Sequence, residues 1–168
     1  VYPHGLREDN IPWHNKIYDL LNLNALFKKA KEFDIIHNHV GLETLFFTDF
    51  VPKPCITTLH WPLPSRKKST SFKIYQKYSQ HPYISISDAQ RKPMPTLNFM
   101  ATVYHGIDIK KYEFNKDPKD YLAFLGRMNI EKGVEYAIKV AKKIRKKLRI
   151  AAFLDELVDK KRFEKEIK

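Results

Sequence analysis

The amino-acid sequence predicts an α/β fold built around a doubly wound parallel sheet, and three observations carry that prediction. Six short apolar runs rich in β-branched and aromatic residues recur along the chain, and such runs are typical of strands buried on both faces. Segments with helical periodicity lie between most of these runs. Polar residues or glycines directly follow several of them. This alternation favours right-handed crossovers and a sheet covered by helices.

The first predicted element is an amphipathic helix over residues 14–32, where apolar residues from Ile17 to Ala30 recur at spacings of three and four. Further helices are predicted over residues 41–50, 70–80, 87–92 and 131–147. The six predicted strands are DIIH (34–37), PCITTLH (54–60), PYISIS (82–87), ATVYH (101–105), YLAFLG (121–126) and LRIAAFL (148–154).

Two local signals divide the chain further. Ser87 has the character of a helix N-cap, and Pro93 and Pro95 end the short helix that follows it. The polar stretch HGIDIKKYEFNKDPKD (105–120) separates the fourth and fifth apolar runs. We therefore expect two α/β units, residues 1–112 and residues 113–168.

The composition is that of a globular chain. Of 168 residues, 43% are apolar and 13% are aromatic, which is enough for one packed domain or two small ones. Cys55 is the only cysteine, so an internal disulfide and a cysteine-based zinc site are excluded. No run of about 18 apolar residues is present, and the first residues lack the order of a signal peptide. These features predict a soluble, cytoplasmic protein.

The net charge of +12 is unevenly distributed. Residues 1–109 contain 13 Lys and Arg against 9 Asp and Glu, whereas residues 110–168 contain 18 against 10. Much of the excess lies in KVAKKIRKKLR (139–149), where basic residues share a predicted helix with apolar ones. A solvated helix face explains this pattern. Non-specific attraction to anionic lipid or nucleic acid remains a second interpretation.

Candidate functional residues follow the predicted strands. In open α/β sheets, ligands bind beyond the carboxyl ends of the strands. His37-Asn38-His39, His60-Trp61-Pro62, Ser87-Asp88, His105-Gly106 and Gly126-Arg127 all occupy such positions. Because these groups share one end of successive strands, their convergence predicts a site more strongly than any single residue does.

The histidines are open to two interpretations. His37 and His39 would share a face of a strand, but two histidines without a third ligand make a poor metal site. They would otherwise be a polar cluster bonded to its own loops, or a substrate contact. His60 ends an apolar strand, and its neutral imidazole could bond a hydroxyl or a phosphate oxygen, or serve only the local structure.

The stretch GRMNIEKG, residues 126–133, is predicted to connect a strand to a helix. Backbone N–H groups at the helix N-terminus, the guanidinium of Arg127 and the ammonium of Lys132 would together suit a diphosphate. Alternatively, Arg127 and Lys132 are surface charges and Glu131 caps the helix. The pattern is neither GxGxxG nor a Walker loop, which disfavours an epimerase and a nucleoside triphosphatase.

Taken in order, FDIIHNH, TLHWPLP, YISISDAQR, ATVYHGID and FLGRMNIEKGVEYAIKVAK resemble the family 4 glycosyltransferases, which are retaining enzymes of the GT-B fold. The likeness extends from about Trp13 onward, and the GR(x)4KG element after HGID is its most specific part. The resemblance implies two Rossmann-like units, acceptor-side first and donor-binding second, a nucleotide-diphosphate-sugar donor, no required metal and no separate cofactor.

Residue roles are implied by the same resemblance. His60 matches the family's histidine near the transferred sugar and would be the catalytic residue. Arg127 and Lys132 match the basic pair that binds the donor diphosphate, with Gly126 and Gly133 flanking them. Four further residues would belong to the substrate cleft: His39, Ser87, His105 and Gly106.

The sequence also departs from the family pattern. Family members begin with a strand and a glycine-rich loop that have no counterpart here, and they carry a downstream Glu-x7-Glu element in a donor loop. Glu156 and Glu164 have that spacing but lie in a charged, helix-like segment without the loop, so no role is transferred to them. We expect a segment of such an enzyme, lacking full activity by itself.

Two hypotheses of different classes result. In the first, the chain belongs to a glycosyltransferase that moves a sugar to an unknown sugar or lipid acceptor, with peripheral contact to the cytoplasmic face of a membrane and no specific nucleic acid. In the second, it is a non-catalytic basic α/β module that binds an anionic membrane surface or nucleic acid.

Overall fold

The computed structural model describes residues 16–128 and 130–153. Glu156 and Glu164, the first two residues of the predicted N-terminal helix and the last residue of the sixth predicted strand lie outside them. The chain divides into two compact units between Ile107 and Asp108, whereas the sequence analysis placed this boundary after residue 112. Among the described helices, none is long and apolar enough to span a bilayer.

The first unit contains a four-stranded parallel sheet. Its strands are β1 (Ile36–Asn38), β2 (Cys55–Thr58), β3 (Tyr83–Ser85) and β4 (Phe99–Thr102), and their order in the sheet is their order in the chain. Ile36 pairs with Cys55, Thr57 with Tyr83, and Ser85 with Thr102. The predicted α/β class with a parallel sheet is therefore confirmed.

Short helices connect the strands of the first unit. Helix α1 (Lys16–Lys28) precedes β1, α2 (Thr70–Lys77) lies between β2 and β3, and α3 (Asp88–Arg91) follows β3. The hydroxyl of Ser69 accepts a hydrogen bond from the Phe72 amide and caps α2. Ser87 caps α3 in the same way by accepting from the Gln90 amide, as the sequence predicted. These caps satisfy amides that a helix start leaves without partners.

Two apolar clusters hold the first unit together. The smaller one joins Ala30, Ile36 and Cys55. The larger cluster lies around β3 and consists of Leu45, Leu59, Leu63, Tyr75, Tyr83, Met94 and Leu97. Each large apolar side chain that is fully buried contributes about 1.5–3 kcal/mol to the stability of the fold, relative to leaving it exposed.

Two predicted elements differ in form from the structure. Residues 41–50 were predicted as a helix, and Leu42–Phe50 instead forms a 3-10 helix. Its run of phenylalanine, threonine and aspartate has low α-helix propensity. The fourth strand was predicted over residues 101–105, but β4 begins and ends earlier. Its ladder ends where the Val103 amide bonds the carbonyl of Ser85, because Ser85 is the last residue of the neighbouring strand.

The second unit pairs β5 (Leu122–Arg127) with β6 (Leu148–Phe153) in parallel, and α4 (Val134–Lys143) makes the crossover. Val134 and Ala141 of α4 are buried. Leu125, by contrast, is 88% exposed. The expectation that these strands are buried on both faces is therefore wrong for the described residues of this unit, because a single helix can cover only one face of the pair.

Candidate functional site

The carboxyl ends of the four parallel strands of the first unit lie at one edge of the sheet. His39 directly follows β1, His60 lies two residues after β2, Ser87 two residues after β3, and His105 three residues after β4. Each of these strands thus delivers one of the predicted site residues to the same edge. The structure brings three of the four, all histidines, into a row in which His60 contacts both His39 and His105.

These histidines form a row with His37, which we call the histidine row (His37, His39, His60 and His105). The rings of His37 and His39 lie 4.2 Å apart between centroids, and those of His39 and His60 lie 5.1 Å apart. His60 stacks on His105 at 5.5 Å with an interplanar angle of 3°. Residues from three strand ends therefore build one continuous imidazole surface.

A hydrogen bond joins the middle of the row. The Nδ1 atom of His39 lies 2.8 Å from the Nε2 atom of His60. One of these nitrogens must donate and the other must accept, so the bond requires at least one neutral ring. Within the described residues, no hydrogen bond occupies the Nδ1 atom of His60. That nitrogen is therefore the polar atom that His60 can offer to a ligand.

The electrostatics favour a neutral imidazole at His39. Desolvation lowers the pKa of His39, and the nearby charges that His37 and His60 would carry lower it further. At neutral pH, His39 therefore offers a neutral ring that can both donate and accept hydrogen bonds, which suits its bond to His60.

Asn38 fixes the backbone that carries His39. Its side chain is buried, with 3% exposure, and its Oδ1 atom accepts from the Val40 amide and the Thr44 hydroxyl, both at 2.8 Å. Its Nδ2 atom donates to Thr57 Oγ1 at 3.1 Å and to the Gly41 carbonyl at 3.3 Å. All four hydrogen-bonding positions of the amide are filled. Asn38, the middle residue of the tripeptide His37-Asn38-His39, thus has a structural role, and a histidine lies on each side of it.

His37 is anchored by the neighbouring strand. Its Nε2 atom lies 2.8 Å from Thr58 Oγ1, and Thr58 is the last residue of β2. This contact ties the first ring of the row to the sheet. Among the described residues, no group of three or more His, Cys, Asp and Glu is arranged to hold a metal ion.

Gln90 positions the loop that carries His60, and the sequence analysis did not identify it. Its Nε2 atom donates to the carbonyls of Leu59 and Trp61, both at 2.9 Å, and these two residues flank His60. Its Oε1 atom accepts from the Ile86 amide at 2.9 Å. The Ser-x-x-Gln spacing from Ser87 to Gln90 is a capping-box pattern that could have identified Gln90 as a structural residue.

Ser87 and Asp88 organise the third strand end. The hydroxyl of Ser87 is engaged in capping α3, and its predicted contact with a substrate remains a prediction. The Asp88 carboxylate accepts from Thr102 Oγ1 at 2.9 Å and from the Tyr104 hydroxyl at 3.3 Å. These bonds hold the chain that leaves β4 towards His105. Among the described residues, no atom lies within 4 Å of the position of a Cβ added at Gly106, so none of them requires glycine there by close approach.

The predicted diphosphate loop lies in the second unit. Gly126 and Arg127 are the last two residues of β5, and Lys132 ends a 3-10 turn before α4. A Cβ added at Gly126 would lie 3.8 Å from the Cβ of Lys132, so the loop folds back on the strand end. The guanidinium of Arg127 makes no hydrogen bond or ion pair among the described residues.

Gly133 determines how α4 begins. It is the N-cap of α4 and has a φ angle of 73°, a left-handed conformation that strongly favours glycine. Its carbonyl accepts from the amides of Tyr136 and Ala137. The N-cap position of α4 thus belongs to Gly133 and not to Glu131, whereas the interpretation of Arg127 and Lys132 as surface charges is a separate point. Because the turn at Gly133 is tight, α4 begins only two residues after Lys132.

No protein-family model matches the chain, and no curated protein matches it either. The class that the fold and the site define is an α/β protein with parallel sheets and a polar strand edge. The features of the chain that bear on its function are the histidine row and the loop of residues 126–133, which we call the Arg127 loop.

Proposed function

We propose that the chain belongs to a retaining, family 4-like glycosyltransferase of the GT-B type that uses a nucleotide-diphosphate-sugar donor. The observation that carries the proposal is the meeting of His39, His60 and His105 at the carboxyl edge of one parallel sheet. Ligands of open α/β sheets bind at this edge. The acceptor is a sugar or a lipid, and the protein works at the cytoplasmic face of a membrane.

The proposed role of His60 is to hydrogen-bond the transferred sugar through Nδ1. If His39 donates the bond between the two rings, the proton of His60 lies on Nδ1 and His60 donates to the sugar. If His60 donates to His39, its Nδ1 accepts from a sugar hydroxyl. In both cases His39 selects the tautomer of His60 and holds the ring in place, so its role is that of a positioning residue.

Arg127 and Lys132 would stabilise the departing nucleoside diphosphate. Cleavage of the bond between the sugar and the diphosphate leaves negative charge on the β-phosphate oxygen, and a guanidinium can grip two such oxygens at once. Lys132 adds a second positive charge one short loop away. No enzymatic nucleophile is needed if the acceptor attacks the face from which the diphosphate departs.

Binding of the leaving group tests the proposal most directly. We expect UDP, GDP or ADP to bind in isothermal titration calorimetry, and the Arg127→Ala variant to bind the same nucleotide about tenfold to a hundredfold more weakly, because a charge-assisted bond to phosphate is lost. The matched control is Lys142→Ala, which removes a positive charge from the exposed face of α4. Equal losses in both variants, or no loss in Arg127→Ala, would overturn the assignment of the site.

Turnover tests the chemistry separately. With a panel of nucleotide sugars and lipid or sugar acceptors, the protein at its full natural length should release nucleoside diphosphate. It should also give a product with the anomeric configuration of the donor. His60→Ala should reduce the rate of release while leaving nucleotide binding intact. A product of inverted configuration would exclude the retaining class.

A second candidate function rests on the basic segment 139–149, which runs from α4 into the start of β6. Such a surface would attract anionic lipid or nucleic acid without recognising a specific group. Binding to anionic liposomes or DNA would then weaken steeply with salt and would not depend on Arg127. The exposed cations that form this surface are Lys139, Lys142, Lys143, Arg145, Lys146, Lys147 and Arg149.

A further inference from the structure

A cavity of about 600 Å³ lies in the first unit at the edge of the sheet opposite the histidine row. Its lining includes Ile35, Pro54 and Pro82, the residues that immediately precede β1, β2 and β3. The cavity is therefore built at the amino ends of the strands, away from the edge to which the glycosyl-transfer residues are assigned. Its volume lies within the range of small-molecule sites.

Most of the lining is apolar. Ile35 and Ile56 contribute branched side chains, and Tyr78 and Met100 contribute an aromatic ring and a flexible thioether. Buried Cys55, whose pKa desolvation raises to about 11, behaves as a small neutral apolar group. Surfaces of this kind bind hydrocarbon or aromatic groups by removing apolar area from water.

Two cations line the same cavity without an anionic partner. Neither Lys53 nor Lys77 forms an ion pair within residues 16–128 and 130–153. The ammonium of Lys77 lies 5.5 Å from the centre of the Tyr78 ring. The one carboxylate of the lining, Asp49, lies near enough to His81 to influence its ionisation. Lys53 and Lys77 thus remain available to an anion.

His81 forms a rigid, neutral part of the lining. Its Nε2 atom lies 2.8 Å from Thr57 Oγ1, and its ring meets that of Tyr83 edge-on at 5.0 Å. Desolvation lowers the pKa of His81, and the charge of Asp49 offsets this in part. His81 therefore adds a fixed polar surface without adding positive charge at neutral pH.

We propose that this cavity binds a small amphipathic carboxylate, with its apolar body against Ile35, Ile56 and Met100 and its carboxylate against Lys53 and Lys77. A single negative charge on an apolar body matches a site that combines two lysines with a largely apolar lining. A phosphate group would call for the bidentate donors of arginine or a set of backbone amides. The inference does not depend on the proposed glycosyl transfer, because it concerns the other edge of the sheet.

Octanoate is a suitable probe, and 1-octanol is its uncharged control of the same chain length. In a ¹H–¹⁵N NMR titration of the 168-residue chain, octanoate should bind saturably with a Kd of about 1 mM or tighter. The shifted amides should include those of Cys55, Ile56 and His81. The amides of His39, His60 and His105 should stay in place. 1-Octanol should bind at least about tenfold more weakly because it lacks the charge.

Three variants make the test specific. Lys77→Met should weaken octanoate binding about tenfold. Lys73→Met, one helical turn earlier on α2 and outside the lining, should not. Met100→Trp should block the cavity and abolish binding, while the circular dichroism spectrum of the chain stays unchanged. The proposal fails if octanoate does not bind, if 1-octanol binds equally well, or if Lys73→Met and Lys77→Met have the same effect.

Discussion

The Nδ1 atom of His39 lies 2.8 Å from the Nε2 atom of His60, although the two residues belong to loops after different strands. The contact exists because β1 and β2 are parallel neighbours and end at the same edge. It makes the ionisation of His39 depend on His60, since two imidazolium rings cannot share a hydrogen bond. Two predictions about pH follow from this contact and from the burial of His81.

The first prediction concerns the pKa of His39. Replacing His60 by Gln removes one of the charges that lower the pKa of His39, so that pKa should rise. It should stay below the ordinary value of 6.5, because desolvation is the largest cause of the shift and remains. An NMR titration of the imidazole carbon-bound protons measures both values. An unchanged pKa of His39 in the His60→Gln variant would show that the two rings do not interact in solution.

The second prediction concerns stability against acid. The folded-state pKa values of His39 and His81 are lowered from 6.5, so below that pH the unfolded chain binds more protons than the folded chain. The free energy of unfolding should therefore fall as the pH drops from about 7 to about 5. Urea denaturation at several pH values measures this slope.

The control for the acid prediction is the double variant His39→Gln, His81→Gln. It lacks both lowered pKa values, so its free energy of unfolding should depend less steeply on pH over the same interval. Identical slopes for the two proteins would assign the pH dependence to other groups.

The α/β class and the polar edge of the first unit could be predicted from sequence because they depend on local signals. Apolar runs mark the strands, and parallel pairing then brings the residues after each run to one edge. For this reason the sequence alone predicts that His39, His60 and His105 lie at one edge of the sheet. Ser87 was identified as a cap for a similarly local reason.

The partners of individual side chains could not be predicted in the same way. Gln90 bonds carbonyls that are 31 and 29 residues away in the chain, and local periodicity carries no information about such distances. The cavity at the amino edge combines Ile35, Lys53 and Lys77 from three separate segments. No single stretch of sequence has the composition of that site. The exposure of β5 could not be predicted from the sequence, because an apolar run does not show how many helices cover the strand.

A third prediction tests the role of Gln90. The nearly isosteric Gln90→Met cannot bond the carbonyls of Leu59 and Trp61 or the amide of Ile86, so the variant should lose about 1–3 kcal/mol of stability. The ring resonances of His60 should also shift, because its loop is no longer held. Urea denaturation and NMR measure the two effects.

Gln76→Met is the matched control for Gln90→Met. Gln76 is exposed on α2, and within the described part of the chain its side chain makes no hydrogen bond. This substitution should change stability by less than about 0.5 kcal/mol. If Gln90→Met is equally mild, or leaves the resonances of His60 in place, Gln90 does not position the His60 loop.

The fourth prediction compares the two glycines that flank the Arg127 loop. Gly133 has a φ angle of 73°, and an added Cβ would lie 3.3 Å from the Tyr136 ring, so Gly133→Ala should cost about 1–2 kcal/mol of stability. Gly126 has ordinary backbone geometry, and its added Cβ would meet neighbours only at 3.6 Å or beyond. Gly126→Ala should therefore be nearly neutral for folding. Because the left-handed turn at Gly133 is also what starts α4 next to Lys132, Gly133→Ala should weaken nucleotide binding more than Gly126→Ala does at a temperature where both variants are folded. Equal stability of the two variants in thermal denaturation would show that α4 does not begin with a left-handed residue.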